Sequence, residues 1–260
     1  MASIVYMMFI GGALLLLIFT LTWMLQLKTK NAGIVDTIWS VSFPVLALCY
    51  FVMADGFITR KILVLTIVSI WGLRLGLHLL IRTVGHEEDG RYTTLRKEWG
   101  QMQNILMLRF FYFQAILALI LSIPFILIER NAAPSLTTIE IAGGVLWFIS
   151  FIGESVADYQ LKKFKENSSN NGNVCDVGLW YYSRHPNYFF EWMIWVSYFI
   201  IALGSPWGFV SIVCPLSMLF FLLRVTGIPY TEAQSLKSKG NAYIDYQKNT
   251  SAFIPWKKKT

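Results

Sequence analysis

Long apolar stretches separated by shorter polar ones are the main pattern along the chain. A helix that crosses a bilayer needs about 20 predominantly apolar residues, and seven stretches approach or exceed this length. These stretches are residues 4–26, 34–54, 59–82, 105–128, 137–158, 187–203 and 207–226. They lack the strict alternation of strands in a membrane barrel. The pattern therefore predicts an all-α, polytopic membrane protein with seven transmembrane helices.

The composition agrees with a chain buried largely in lipid. Hydrophobic residues make up 55% of the 260 positions and charged residues only 14%, whereas soluble domains carry roughly 25% charge. No polar stretch is long enough for a separate soluble domain, so we expect one domain over residues 1–260. The net charge of +7 is therefore interpreted by its position relative to the membrane. The expected partners are the lipid bilayer and a hydrophobic small molecule, and no nucleic acid; the sequence gives no oligomeric state.

The basic residues are distributed asymmetrically between the two sides of the predicted bundle. If the N-terminus is outside, 16 of the 22 Lys and Arg residues lie in inner segments. Cytoplasmic loops carry the excess of positive charge, so the N-terminus is predicted outside and the C-terminus in the cytoplasm. Residues 227–260 would then form a cytoplasmic C-terminal segment that closes the site. The location would be a bacterial inner membrane, or the endoplasmic reticulum membrane of a eukaryote.

The predicted inner loops, 83–104, 159–186 and 227–260, are much longer than the outer ones. Long loops on a rigid scaffold commonly build binding sites. The run Asn167–Asn173 is rich in Ser, Asn and Gly, which suits tight turns. It is compatible with a mobile lid and equally with a plain connector.

Ionisable residues occur within the predicted spans, where each is expensive and therefore a candidate functional residue. Most fall in the inner half: Asp36, Arg74, His78, Arg109, Glu154, Asp158, Glu191 and Arg224. Several repeat at helical spacing on one face, such as Glu154, Asp158 and Lys162. We expect a charged layer contributed by six helices. The alternative is a salt-bridge network that only locks the bundle, with Lys162 at its span end extending to the interface.

The charged layer favours an anion site. Arginines near helix ends, with free N–H groups at the helix start behind Arg184 and His185, suit a phosphate. His185 could bind phosphate, donate a proton or cap the helix, and Pro186 fits the first helical turn. No dinucleotide-binding or P-loop glycine motif is present. No His, Cys or carboxylate spacing is typical of a metal site, so no metal is expected.

Several of these residues belong to stretches that resemble a known family. They are Asp158–Leu161, Gly178–Trp180, Ser183–Tyr188 and the terminal Tyr246 with Thr250–Trp256, together with Val35, Asp36, Trp39 and Glu88–Tyr92. From about residue 30 to the end, the chain resembles bacterial membrane proteins related to steroid 5-alpha-reductases. The Arg-His-Pro-x-Tyr core is less specific, because isoprenylcysteine carboxyl methyltransferases and sterol C14-reductases carry a similar stretch.

The resemblance implies a seven-helix fold that binds NADPH from the cytoplasm and reduces a lipid-soluble enone. In that family a hydride reaches the β-carbon of a conjugated ketone while a donor stabilises the enolate oxygen. By motif position, Glu154, Asp158, Lys162 and Lys165 would lie along the cofactor, with Asn187 and Arg224 in contact with it and Tyr246 closing over it. The charge pattern adds Arg109, Arg184, His185 and Tyr188 as candidate cofactor-binding residues.

The second and third helices depart from the family pattern. Steroid reductases use a Gln-Glu pair on the second helix and a Tyr on the third to bind the substrate ketone. Here the second helix offers Asp36 and Trp39, and Trp71 occupies about the place of that Tyr, one turn before Arg74. Asp36, Trp39 and Arg74 are the catalytic candidates. Asp36 could be a protonated donor or a cap of the second helix, and the substrate could be a steroid, an unsaturated fatty acyl group or an isoprenoid.

Two other functions stay open at this point. A methyltransferase using S-adenosylmethionine would favour carboxylates around the cationic sulfonium, for which Glu154, Asp158, Glu191 and Glu232 are available. The arginines favour NADPH, which carries several phosphate charges. A transporter or lipid-binding protein would show broken helices and internal symmetry, and the sequence shows neither.

Overall fold

The computed structural model describes residues 2–258, and within them the chain is helical, with no β-strand. The twelve α-helices of this part are α1 (Ile4–Thr29), α2 (Ile34–Met53), α3 (Ile58–Thr83), α4 (Gly90–Trp99), α5 (Gln103–Leu121), α6 (Ile123–Glu129), α7 (Thr138–Glu166), α8 (Leu179–Tyr182), α9 (Pro186–Ala202), α10 (Val213–Phe220), α11 (Ile228–Lys239) and α12 (Asn241–Asn249). The predicted all-α class is confirmed. The helices fall into two compact units, which are described separately: the first holds α1–α6 and the second α7–α12.

Six helical runs in the described part are long and apolar enough to cross a membrane. They are Ile4–Thr29, Ile34–Met53, Ile58–Thr83, Gly90–Glu129, Thr138–Glu166 and Gly208–Lys239. An integral, multi-pass membrane protein is therefore confirmed. The predicted span at 187–203 corresponds to α9, which has only 17 residues. At 1.5 Å per residue it is about 25 Å long, less than the roughly 30 Å hydrocarbon core, so the seventh span and the orientation remain predictions.

The last of these runs changes character along its length. After the apolar α10, the backbone forms a π-helical turn over Phe221–Val225 that includes Arg224. The helix α11 then begins with Pro229 in its first turn and has a polar composition. We therefore take the membrane-spanning part to end at Val225, with α11 and α12 outside it. Single π-turns of this kind are frequent at functional sites.

In the first unit, close packing of α2 and α3 follows from two special residues. Pro44 lies inside α2, where it has no N–H to donate to the carbonyl of Ser40. Gly72 of α3 faces this point, and a Cβ built on it would lie 2.8 Å from the Ser40 oxygen and 2.7 Å from the Pro44 ring. Only glycine lets the two backbones approach this closely.

In the second unit, α7 and α9 pack along their length by the same principle. A Cβ at Gly143 would lie 2.9 Å from the backbone nitrogen of Ile201, and one at Gly153 would lie 2.5 Å from the ring of Phe190. The start of α7 is fixed by a capping box, in which the backbone N–H of Thr137 donates to Glu140 Oε2 at 2.7 Å. This helix continues to Glu166, two turns beyond the predicted span, and so carries Lys162 and Lys165 out of the apolar region.

Candidate functional site

Two of the stretches that carried the family resemblance, Ser183–Tyr188 and Thr250–Trp256, meet in the second unit. The backbone N–H of Arg184 donates to the Ser251 carbonyl at 2.8 Å, and the Ser183 hydroxyl donates to the Phe253 carbonyl at 2.8 Å. The backbone N–H of Trp256 donates to the Tyr182 carbonyl at 2.9 Å. We call the contact of residues 250–256 with residues 182–184 the C-terminal clasp. It fixes the chain immediately before α9.

Glu232 of α11 is the centre of the hydrogen bonds behind the clasp. Its Oε1 accepts from Arg184 Nε at 2.6 Å and lies 3.3 Å from His185 Nε2, and its Oε2 accepts from Gln247 Nε2 at 2.9 Å. Partial burial raises the pKa of Glu232, but the donors at His185, Arg184 and Gln247 outweigh it and bring the pKa to about 2. Glu232 is therefore an ionised acceptor at neutral pH.

Arg184 is fully engaged by these internal contacts. Besides Glu232, its Nη1 donates to the carbonyls of Gln247 at 3.0 Å and Thr250 at 2.5 Å. Its side chain is only 10% exposed. The geometry gives Arg184 the task of holding α11, α12 and the clasp to the start of α9.

His185 is buried beside this pair. Desolvation lowers its pKa, although the neighbouring Glu232 acts in the opposite direction, so the neutral imidazole donates from Nε2. Its ring stacks on Tyr188 with centroids 5.4 Å apart, and the Tyr188 hydroxyl lies 3.1 Å from Thr231 Oγ1. His185 occupies the N-cap position of α9, but its side chain makes no capping hydrogen bond and instead lies against Glu232.

Asn187 and Asp158 form the second polar contact of this unit. Asn187 Nδ2 donates to Asp158 Oδ1 at 3.2 Å, which joins the first turn of α9 to α7. The Asn187 side-chain oxygen is buried and has no hydrogen-bond partner among residues 2–258. A buried carbonyl oxygen without a donor is costly, so this atom is positioned to accept from a group outside the described chain.

The remaining candidates of the second unit serve different roles. The Tyr246 hydroxyl donates to the carbonyls of Trp180 and Ser183, and burial raises its pKa, so it acts as a donor inside the clasp. Glu154 is buried on α7. Lys162 and Lys165 are exposed, and Lys162 lies 3.8 Å from Glu166. Arg224 is exposed in the π-turn, and no ion pair of its guanidinium exists within residues 2–258.

In the first unit, Asp36 connects α2 to α4. Its Oδ2 accepts from Arg91 Nη2 at 2.7 Å and its Oδ1 from the Tyr92 hydroxyl at 2.8 Å. The alternative that Asp36 caps α2 is wrong, because Gly33 occupies the cap position and no side-chain cap is formed. The carboxylate instead attaches α4, whose N-cap is Asp89.

The other first-unit candidates lie on three different helices. Trp39 stacks edge-on against Phe43 at 4.7 Å, and its indole N–H is buried with no acceptor in the described part of the chain. Arg74 is half-buried on α3, and Arg109 is exposed on α5. The residues of the predicted charged layer are thus distributed over both units: Asp36, Arg74, His78 and Arg109 belong to the first, and Glu154, Asp158, Glu191 and Arg224 to the second.

Sequence reasoning missed Glu232, Gln247 and Arg91 as partners of the predicted residues. A signal for Glu232 was present, since it is the single acidic residue between positions 227 and 244. Nothing in the sequence indicated Gln247. Among the described residues, no group of three or more His, Cys, Asp and Glu side chains could hold a metal ion.

The comparisons with known proteins give a family. The family model described as "Protein of unknown function (DUF1295)" matches residues 22–250. No curated protein and no solved structure matches the chain. Because the match covers most of the sequence, the chain belongs to this family.

Proposed function

We propose that this DUF1295 protein is a membrane-embedded, NADPH-dependent reductase of a lipid-soluble enone, with seven spans and a cytoplasmic C-terminus. The observation that carries the proposal is the pair of Asn187 and Asp158 with its unpartnered amide oxygen. The nicotinamide carboxamide and the ribose hydroxyls both present hydrogen-bond donors that this oxygen could accept. Residues of the same motif are implicated in cofactor binding by the resemblance to steroid 5-alpha-reductases.

The cations of the second unit divide into two groups with respect to the cofactor phosphates. Arg224 is exposed and has no carboxylate partner in residues 2–258, and Lys162 is exposed with only a 3.8 Å contact to Glu166. Both are available for phosphate oxygens, which bind well to charged donors. Arg184 is already committed to Glu232 and to backbone carbonyls, so we propose that it positions His185 and the clasp.

The hydrogen bonds that Glu232 and Glu191 already accept weigh against a methyltransferase. A sulfonium would require free carboxylates, but Glu232 already accepts from three side chains. Glu191 Oε1 accepts from Trp195 Nε1 at 3.0 Å. The free cation at Arg224 favours an anionic cofactor instead.

The three catalytic candidates, Asp36, Trp39 and Arg74, all belong to the first unit. When bound, NADPH would supply the hydride for the β-carbon of the enone, and a proton from a donor or water would complete the saturated ketone. The developing enolate oxygen needs a hydrogen-bond donor. Within the first unit, the buried indole N–H of Trp39 is a donor without an acceptor in residues 2–258, whereas both oxygens of Asp36 already accept from Arg91 and Tyr92.

The test is cofactor binding by the detergent-purified protein. NADPH should raise the midpoint of thermal unfolding in proportion to the logarithm of its concentration, and S-adenosylmethionine should not. Asn187→Ala and Arg224→Ala should each weaken NADPH binding about tenfold, as the loss of one good hydrogen bond predicts. The matched control is Lys163→Ala, which removes an exposed lysine from the same helix as Lys162. Stabilisation by S-adenosylmethionine alone would refute the reductase.

A further inference from the structure

A polar pocket of about 270 Å³ lies in the first unit, where the end of α1 meets α4 and the start of α5. We call it the Gln26 pocket. Its polar lining consists of Gln26, Lys30, Glu88, Arg96, Gln103 and Asn104. A cavity needs a volume of only about 10–15 Å³ to hold one water molecule, so this pocket has room for a small polar group. None of these residues belongs to the proposed cofactor site.

Gln26 brings an unused donor into this pocket. Its side chain is completely buried, and its Oε1 accepts from Arg96 Nη2 at 2.8 Å. This bond fixes the amide orientation, and Nε2 is left buried with no acceptor within residues 2–258. Buried polar groups in folded proteins are nearly always hydrogen-bonded. The missing partner is therefore an acceptor from outside the described chain.

The charges of the lining indicate an anion. Arg96 is neutralised by Glu88, which accepts from its Nε at 2.8 Å, and Glu88 also accepts from the backbone N–H of Ala32 at 2.7 Å. Lys30 is exposed and makes no ion pair in the described part of the protein. The lining thus carries one uncompensated positive charge.

The backbone of Lys30 supports a role for its side chain. Lys30 ends α1 in the left-handed conformation, with φ 57° and ψ 23°. Glycine usually occupies this position because a side chain is sterically disfavoured there. Strained residues of this kind occur preferentially at functional sites. At this position a glycine would stabilise the helix end better than a lysine does.

The position of the pocket agrees with a group at the membrane surface. The apolar α1 ends beside it, and the indole N–H of Trp23, one turn before Gln26, donates to the Asn104 carbonyl at 2.9 Å. Tryptophan with this arrangement is typical of the bilayer interface. Phosphodiesters at that depth carry one negative charge.

We propose that the Gln26 pocket binds a singly charged phosphate ester, with Lys30 compensating its charge and Gln26 donating a hydrogen bond to its oxygen. The ester is carried either by a phospholipid headgroup or by a soluble molecule. This inference is independent of the proposed reductase.

The experiment compares Lys30→Gln and Lys30→Gly with the unchanged protein. Native mass spectrometry of the full chain in detergent measures the binding of phosphatidylglycerol and, in a second arm, of its soluble headgroup glycerophosphoglycerol. Both variants should bind the ester about tenfold more weakly, as loss of one charge-assisted hydrogen bond predicts. Lys28→Gln is the matched control, because Lys28 lies two residues earlier and does not line the pocket. Preference for the lipid identifies a headgroup, and equal binding of the soluble ester identifies a free phosphate ester.

A second measurement separates binding from stability. Without ester, Lys30→Gly should unfold at a temperature equal to or above that of the unchanged protein, since glycine relieves the left-handed backbone. At a given concentration, ester should stabilise the unchanged protein more than this variant. If neither ester binds, or if the Lys28 and Lys30 variants lose binding equally, the proposal is refuted. NADPH binding should be the same in all of these proteins, whatever the result.

Discussion

Replacing Glu232 by alanine should open the C-terminal clasp. The change removes the carboxylate that accepts from Arg184, His185 and Gln247. A hydrogen bond to a charged group contributes about 1.5–3 kcal/mol and a neutral one about 1 kcal/mol. Arg184 keeps two carbonyl acceptors, and the Glu232 side chain is 16% exposed. Discounting the sum for this residual solvation, we expect a loss of about 3 kcal/mol.

The backbone N–H of Trp256 reports this loss directly, because it donates to the Tyr182 carbonyl across the clasp. Amide exchange through local opening should accelerate roughly hundredfold for a loss of about 3 kcal/mol. Hydrogen exchange followed by mass spectrometry measures it in detergent. Asp245→Ala is the matched control: it breaks an exposed ion pair with Lys248 on α12, which contributes about 0.2–1 kcal/mol at most. Unchanged exchange in Glu232→Ala, or equal acceleration in the control, would refute the clasp.

Three further predictions concern other parts of the protein. Asp36→Asn should lower the free energy of unfolding, measured with denaturant, by about 1–3 kcal/mol, and Tyr92→Phe should lower it by about 1 kcal/mol. Enone turnover should be retained in both variants. Loss of turnover in Asp36→Asn alone would restore Asp36 as a catalytic residue. Because burial lowers the pKa of His185, its neutral form should stabilise the protein fully above about pH 6.5, and this contribution should fall as the pH drops below that value. The temperature of unfolding should therefore fall less steeply with decreasing pH in His185→Gln than in the unchanged protein. An identical fall in both proteins would contradict this. Gly143→Ala should lower the free energy of unfolding by about 1–3 kcal/mol, because the added Cβ meets the backbone of α9. The control Gly144→Ala, whose Cβ meets nothing within 4 Å, should leave this free energy unchanged or raise it by up to about 1 kcal/mol. Equal effects of the two substitutions in thermal unfolding would refute the close packing.

The spans could be predicted from the sequence because the hydrophobic requirement of lipid acts on each helix separately. Each of the six long apolar runs in the described residues overlaps a predicted stretch, although three of them extend well beyond it: Gly90–Glu129 at its start, and Thr138–Glu166 and Gly208–Lys239 at their ends. The helices of the polar segments were harder to predict than the spans, because α4, α11 and α12 lack a strong periodic pattern of apolar residues. Their helices depend on tertiary anchors such as Asp36 and Glu232, which local propensity does not reveal. The π-turn at Phe221–Val225 likewise had no signal in the predicted span 207–226.

The site could be predicted only as a set of residue types. The pairing of Asn187 with Asp158 brings together two predicted residues, and both belong to the quoted motifs. The hydrogen bonds of Arg184 could not be predicted, because its partners Glu232 and Gln247 lie on other helices, 48 and 63 residues further along the chain. Sequence spacing carries no information on contacts between separate helices. The partners of Asp36 could not be predicted for the same reason, since Arg91 and Tyr92 lie on α4.

The value of a basic residue as a ligand-binding group depends on whether an acceptor within the protein already occupies it. Arg91, Arg96 and Arg184 each donate to a carboxylate of the chain itself. Counting arginines in the sequence therefore overstates the capacity for anions. Arg224 in the second unit and Lys30 in the first are exposed and make no ion pair within residues 2–258, so their charge remains for a ligand. Each lies in unusual backbone, a π-turn and a left-handed helix end, which a purely structural role does not require.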